Sequence, residues 1–167
     1  MSELASESST QRVREALQPL LAQQQAHYRL YLKHQLAEVG VHLIDYARLN
    51  APQQRWVNDY FQNAIFPVLT PLAVDPAHPF PWVLNKALCL ALLLKGPGKG
   101  NERENLGVIT VPRILPRIVT LPSGDSAKSF VFISDVVQHY AGELFKGTPI
   151  RECAPFRATR NSNLYLD

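Results

Sequence analysis

Five prolines, Pro67, Pro71, Pro76, Pro79 and Pro81, fall within fifteen residues of the segment Ile65–Trp82, IFPVLTPLAVDPAHPFPW. Each fixes its own φ at about −65° and pushes the residue before it toward extended geometry. A flexible proline-rich linker is polar, whereas this one interleaves its prolines with Ile65, Phe66, Val68, Leu69, Leu72, Val74, Phe80 and Trp82. The segment therefore reads as a rigid, extended strap packed on a core, with little freedom to lose on folding. It divides the chain into a Ser- and Glu-rich tail over 1–9, a helical segment over 10–65 and a second domain over 66–167.

Before the strap the pattern is helical. Val13, Leu17, Leu20, Leu21, Tyr28, Leu32, Leu36 and Val39 keep helix spacing, and Gly40 is placed to stop the helix. Pro19 falls inside this run, where the unbroken apolar phase predicts a kink or restart rather than an end. After a short extended piece over Val41–Tyr46, Asn50 is a good N-cap, with Pro52 in the first turn and Gln53 at N3. The helix it opens carries Trp56, Val57, Tyr60 and Phe61 to about Ile65.

After the strap the pattern changes to strands. Asn85–Lys95, NKALCLALLLK, suits a buried helix or a buried strand by composition alone. The turn chemistry of Gly96–Asn101 and the β-branched run Gly107–Val111 favour a pair of strands. Arg117–Leu121 and Phe130–Ile133 read as two further strands, separated by the turn Ser123–Ser126. Ser134 is the expected N-cap of a helix over Asp135–Phe145, ended by Gly147, and Thr148–Thr159 reads as a last extended segment. A helical extension followed by mixed strands with one or two helices makes the expected fold class α+β.

The hydrophobic content of 46% and charged content of 19% are those of a chain able to bury a core. The longest near-apolar run, Ala87–Leu94, is far short of the roughly 20 residues a membrane helix needs. The opening MSELASESST has neither the basic nor the apolar region of a secretory signal, so the cytoplasm is the expected compartment. Two cysteines, Cys89 and Cys153, make neither a disulfide framework nor a metal site. Net charge is +3, and it is spread evenly: nine Lys/Arg against seven Asp/Glu in residues 1–100, then eight against seven. That is too weak a footprint for a nucleic-acid binder, though it tolerates a polyanion nearby.

Most chemically suggestive residues have simpler readings. Gly96-Pro97-Gly98-Lys99-Gly100 resembles a phosphate loop, but Pro97 removes a donor and a strand, not a helix, follows. It is a hairpin turn. His27, His34, His42, His78 and His139 lack metal-ligand spacing, so no metal site is expected. His78 and Asp75 lie within the strap, where holding a turn is the simpler role. The arginines stand out. Arg113 and Arg117 flank Pro116 in a stiff segment, and Arg157 and Arg160 close the chain's last extended stretch. The guanidinium fork donates two parallel charge-assisted bonds to phosphate, so these four are the candidate phosphate contacts. Their competing role is to tie the strap and chain end to backbone carbonyls or carboxylates.

Three separated motifs carry a family resemblance. Ile65–Trp82 resembles the junction between the N-terminal and middle (head) domains of bacterial polyphosphate kinase, the long two-lobed type. Val111–Pro122, VPRILPRIVTLP, is similar to a second segment of that family, and Pro155–Ser162, PFRATRNS, to a third. Tyr28–Phe66 is similar to the last helices of the family's N-terminal domain, so the likeness covers roughly residues 20–167. The resemblance implies a middle-domain fold similar to that of phosphohistidine phosphatases. It also implies a parent enzyme that moves the terminal phosphate of ATP reversibly onto polyphosphate, with Mg and ATP as its cofactors. The family's phosphorylated histidine and its ATP and metal ligands have no matching positions here, and Asn50 and Asn58 fall after the region of its adenine-contacting asparagine. The expectation is thus a non-catalytic fragment holding no cofactor. Its implied partners are polyphosphate, the remaining domains of the parent and a second copy in a homodimer. Two rival readings stay open: a small phosphohistidine-phosphatase-like enzyme, and a pure oligomerisation module built on the Val13–Val39 stripe.

Overall fold

A computed structural model describes residues 2–74, 81–95, 104–122 and 128–159 of the chain. These fall into two compact units, one made of the described residues within 1–43 together with 128, the other of those within 44–122 and 129–159. Asp75, Pro76, His78, Pro79, the Gly96–Asn101 turn, the Ser123–Ser126 turn and Arg160 lie outside the described residues.

The first unit is helical. Helix α1, Ser2–His27, runs through Pro19 and takes in the stretch read from sequence as a tail. A single wider π turn over Tyr28–Leu32 joins it to α2, Lys33–Glu38. Gly40, at φ +79°, then ends the helix as the sequence predicts, with its N–H donating to the Ala37 carbonyl at 3.0 Å. Strand β1, Val41–Leu43, follows. No described side chain of this unit is buried, and the apolar stripe of Val13, Leu17, Leu20 and Leu21 is exposed.

The second unit is built on a four-stranded antiparallel sheet in the order β2-β4-β3-β7. Its strands are β2, Thr70–Val74; β3, Leu88–Lys95; β4, Glu104–Val111; and β7, Ile150–Arg157. The β3–β4 pairing, from Leu88 opposite Val111 to Lys95 opposite Glu104, is the pair of strands expected from sequence. Both outer strands carry a proline, Pro71 in β2 and Pro155 in β7, where a missing N–H is tolerated. A separate antiparallel ladder joins β5, Ile118–Leu121, to β6, Lys128–Phe132, in register from Ile118 opposite Phe132 to Leu121 opposite Ser129.

Helix α3, Ala51–Tyr60, starts on a complete capping box. The Gln53 N–H donates to Asn50 Oδ1 at 2.9 Å, and the Asn50 N–H donates to Gln53 Oε1 at 3.2 Å. A π turn carries the helix on to Ile65, so that Val57, Phe61 and Ile65 point inward, fully buried. They join Leu90, Leu92 and Ile109 from one face of the sheet and Ile133, Val136 and Val137 from α4, Ile133–His139. The opposite sheet face supports a smaller cluster of Val83, Ala87, Cys89 and Val108, with Phe156 packed against it.

Two expectations are corrected. The strap is not extended throughout: Phe66–Val68 makes one tight 3-10 turn before β2. Only part of it packs, because Ile65 and Leu69 are buried while Val68, Leu72 and Trp82 are exposed. The helix expected over Asp135–Phe145 is not capped by Ser134. It begins at Ile133, with Phe132 as the extended N-cap residue, and the Ser134 hydroxyl instead donates to Asp135 Oδ1 at 3.1 Å. Burying Ile133, Val136 and Val137 sets that start. The helix also breaks at Tyr140, before α5, Ala141–Leu144. Tyr140 is held from outside the helix: its ring stacks on Phe61 at 4.3 Å and its hydroxyl lies 2.9 Å from that of Tyr46.

Phe61 thus carries both burial and the stack that fixes Tyr140. Phe61→Ala is expected to cost about 3–5 kcal/mol, read as a lowered urea midpoint with a similar slope. A loss below about 1 kcal/mol would mean that the α3 face does not organise this core.

Candidate functional site

The residues leading into β3 make an unusual turn. The Ala87 N–H donates to the Leu84 carbonyl at 3.0 Å, and Lys86 takes φ +59°. That left-handed region suits glycine or asparagine far better than lysine. Among the described residues Lys86 is the only non-glycine held there. Its N–H donates to the Ala158 carbonyl at 2.8 Å, fastening the turn to the chain just past β7.

Strand register then assembles the rest. Leu88, the first residue of β3, pairs with Val111 at the end of β4 on one side and with Arg157 at the end of β7 on the other. Arg117, just before β5, reaches back to this row, its Nη1 donating to the Val111 carbonyl at the long distance of 3.5 Å. Lys86, Leu88, Arg117, Pro155, Phe156 and Arg157 consequently line an open groove of about 390 Å³. Arg113 does not line it. Its Nη2 donates to the Asn85 carbonyl at 3.1 Å, so it braces the turn in the carbonyl-tying role that competes with phosphate binding. Of the four arginines singled out from sequence, the fold brings Arg117 and Arg157 together, turns Arg113 to support, and leaves Arg160 outside the described residues.

The groove is positive. Among the described residues its lining contributes three cations and has no carboxylate, histidine, serine or cysteine. Lys86, Arg117 and Arg157 are all exposed, so each acts through screened, solvated contacts whose strength falls with salt. Two guanidinium forks and an ammonium are donors chemically suited to the oxygens of linked phosphates. Sequence reasoning missed Lys86 because Asn85 and Lys86 were read as the start of a strand. The available signal was Asn-Lys directly before the apolar run, where turn chemistry is at home.

A second cavity of about 350 Å³ is lined by Tyr46, Gln54, Arg55, Asn58, Asp59 and Tyr140. Burial and the Tyr46 hydroxyl push the Tyr140 phenol well above its ordinary range, so it remains neutral. His139 stacks on Tyr46 with ring centres 3.9 Å apart and meets Tyr140 edge-on at 4.8 Å. Burial pushes the His139 pKa down, partly opposed by the Glu143 carboxylate. Burial likewise raises the Cys153 thiol, which favours its protonated, less nucleophilic form. Among the described residues no three of His, Cys, Asp and Glu converge as a metal site would require.

The model of the polyphosphate kinase middle domain matches residues 52–167. The polyphosphate kinase of Prochlorococcus marinus (strain MIT 9313) is 45% identical over 161 residues, covering 92% of this chain and 22% of that protein. That of Neisseria meningitidis serogroup B (strain ATCC BAA-335 / MC58) is 37% identical over 157 residues, covering 93% and 23%. The chain therefore spans about a fifth of the length of these relatives. In fold it is similar to the crystal structure of the polyphosphate kinase from Porphyromonas gingivalis, with a TM-score of 0.78 over 97% of this chain and 26% of that one. At 22% identity that likeness concerns fold alone.

The His139 stack gives the second unit a pH dependence. Below about 6.5 the unfolded histidine takes up a proton before the folded one does, so stability falls with pH until the folded group also titrates. The thermal midpoint of the parent chain is expected to drop more between pH 7.5 and 5.5 than that of His139→Gln. Equal drops would show that His139 is not the group responsible.

Proposed function

Because this chain belongs to the polyphosphate kinase family, in the portion its middle domain defines, we propose that it serves as a non-catalytic element that guides a polyphosphate chain. The phosphate transfer itself falls to other parts of the larger proteins it resembles. The observation that carries this reading is the groove of Lys86, Arg117 and Arg157, three exposed cations with no carboxylate among the described lining residues. A linear polyanion needs no enclosed pocket. It needs successive cations along an open path, and its binding is then dominated by counterion release. The two free thiols, Cys89 and Cys153, fit the reducing cytoplasm to which we assign it. No helix among the described residues is long and apolar enough to cross a membrane.

Titrating the 167-residue chain with long-chain polyphosphate at several salt concentrations tests this. Saturable binding that weakens steeply with salt is expected, and Arg117→Ala and Arg157→Ala should each reduce affinity by about threefold to tenfold. Absence of binding at low salt would reduce the domain to a scaffold.

A second role, self-association, is favoured by one feature of the helical unit. Val13, Leu17, Leu20 and Leu21 recur at helical spacing and are 58%, 47%, 60% and 53% exposed. A contiguous apolar stripe of this kind marks a surface that a partner covers. Sedimentation of the chain should then show a dimer that Leu17→Glu with Leu20→Glu converts to monomer. A parent chain that is monomeric at high concentration rules the stripe out as a self-association surface.

A further inference from the structure

We propose that Lys86 is a third anion-binding residue of the groove, presented there by its left-handed backbone. This rests on the reading of the groove as a polyphosphate path and adds to it a contact outside the recognised arginine motifs. The turn itself has no use for a lysine side chain. Its closure uses the Ala87 N–H and the Leu84 carbonyl, and its attachment to the chain after β7 uses the Lys86 N–H and the Ala158 carbonyl. All four are main-chain groups that glycine or asparagine would supply equally, at a φ of +59° that either adopts with less strain.

The strain is therefore borne for the side chain or for nothing. Lys86 lines the groove together with Arg117 and Arg157, with no carboxylate among the described lining residues to neutralise it. Leu88, Pro155 and Phe156 line the same groove, and Arg113 ties the turn through the Asn85 carbonyl. The three charges come from three separate places in the chain: the turn before β3, the residue before β5 and the end of β7. Arg117 and Arg157 offer planar forks that fix the position of a phosphate. An ammonium on a four-carbon stem follows a sliding one, since it donates in any rotation.

The test combines affinity with stability. Lys86→Gly and Lys86→Asn both suit the left-handed turn and remove the charge, so the thermal midpoint should be unchanged or raised. Affinity for long-chain polyphosphate should nevertheless fall by about fivefold, with the slope of log K against log salt reduced by about one. Lys86→Arg should keep most of the affinity. Loss of stability together with affinity in both neutral variants would make Lys86 a turn residue and overturn the inference. Unchanged affinity in both, while Arg117→Ala and Arg157→Ala weaken binding, would overturn it and leave the groove reading intact. No polyphosphate binding by the parent chain would overturn both.

Discussion

Strand β3 has no free side. It is hydrogen-bonded along its length to β4 on one edge and β7 on the other. Its Leu90 and Leu92 feed the larger core on one face, while Cys89 feeds the smaller cluster on the other. A strand buried on both faces must be apolar at successive positions rather than at alternate ones. LCLALLL meets that condition, and the rest of the unit is arranged around it. α3 and α4 cover the larger core, and the register of β3 with its two neighbours brings Val111, Leu88 and Arg157 into one row. The groove is the end of that row, so its geometry is inherited from the sheet.

One glycine shows how tightly the middle of the sheet is filled. A side chain at Gly107 would meet Leu94 Cδ1 and Phe145 Cζ at 3.0 Å and Leu92 Cβ at 3.3 Å. The absent Cβ is what lets Phe145 lie against β4, which brings the turn after α5 over the sheet before β7 begins. Helix, turn and last strand therefore share one packing solution.

What could be read from sequence was whatever local chemistry decides. The Asn50–Gln53 box was legible to the residue because a cap is made of groups three positions apart. Gly40 and Gly147 were legible as helix ends because left-handed backbone there favours glycine; they lie at φ +79° and +81°. The β3–β4 pair was legible from its composition and turn. Failures came where distant contacts decide. Tyr140 interrupts its helix because Tyr46, 94 positions earlier, and Phe61 hold it. Ser134 lost its cap role to the burial of Ile133. In the site, guanidinium chemistry pointed alike to Arg113, Arg117, Arg157 and Arg160, and only the fold shows Arg117 and Arg157 on one groove and Arg113 on the Asn85 carbonyl. Lys86 was missed although Asn85-Lys86 offered local turn chemistry, because the apolar run after it reads as strand; its tie to Ala158, just past the neighbouring β7, shows only in the fold.

The prolines of the two outer strands bear on how this molecule meets others. A sheet normally recruits another strand through the unpaired amides of its edge, and that is the route to swapped dimers and fibres. Pro71 and Pro155 each remove one backbone N–H from an outer strand, a feature that blunts sheet edges. Sideways growth of the sheet is therefore discouraged on both flanks at once. An assembly involving this unit is more readily made through faces, loops or helices, where side chains rather than main chain decide which partner fits. Selectivity among partners is thus written into the surface, and the hydrogen-bonding frame beneath it stays closed to casual pairing.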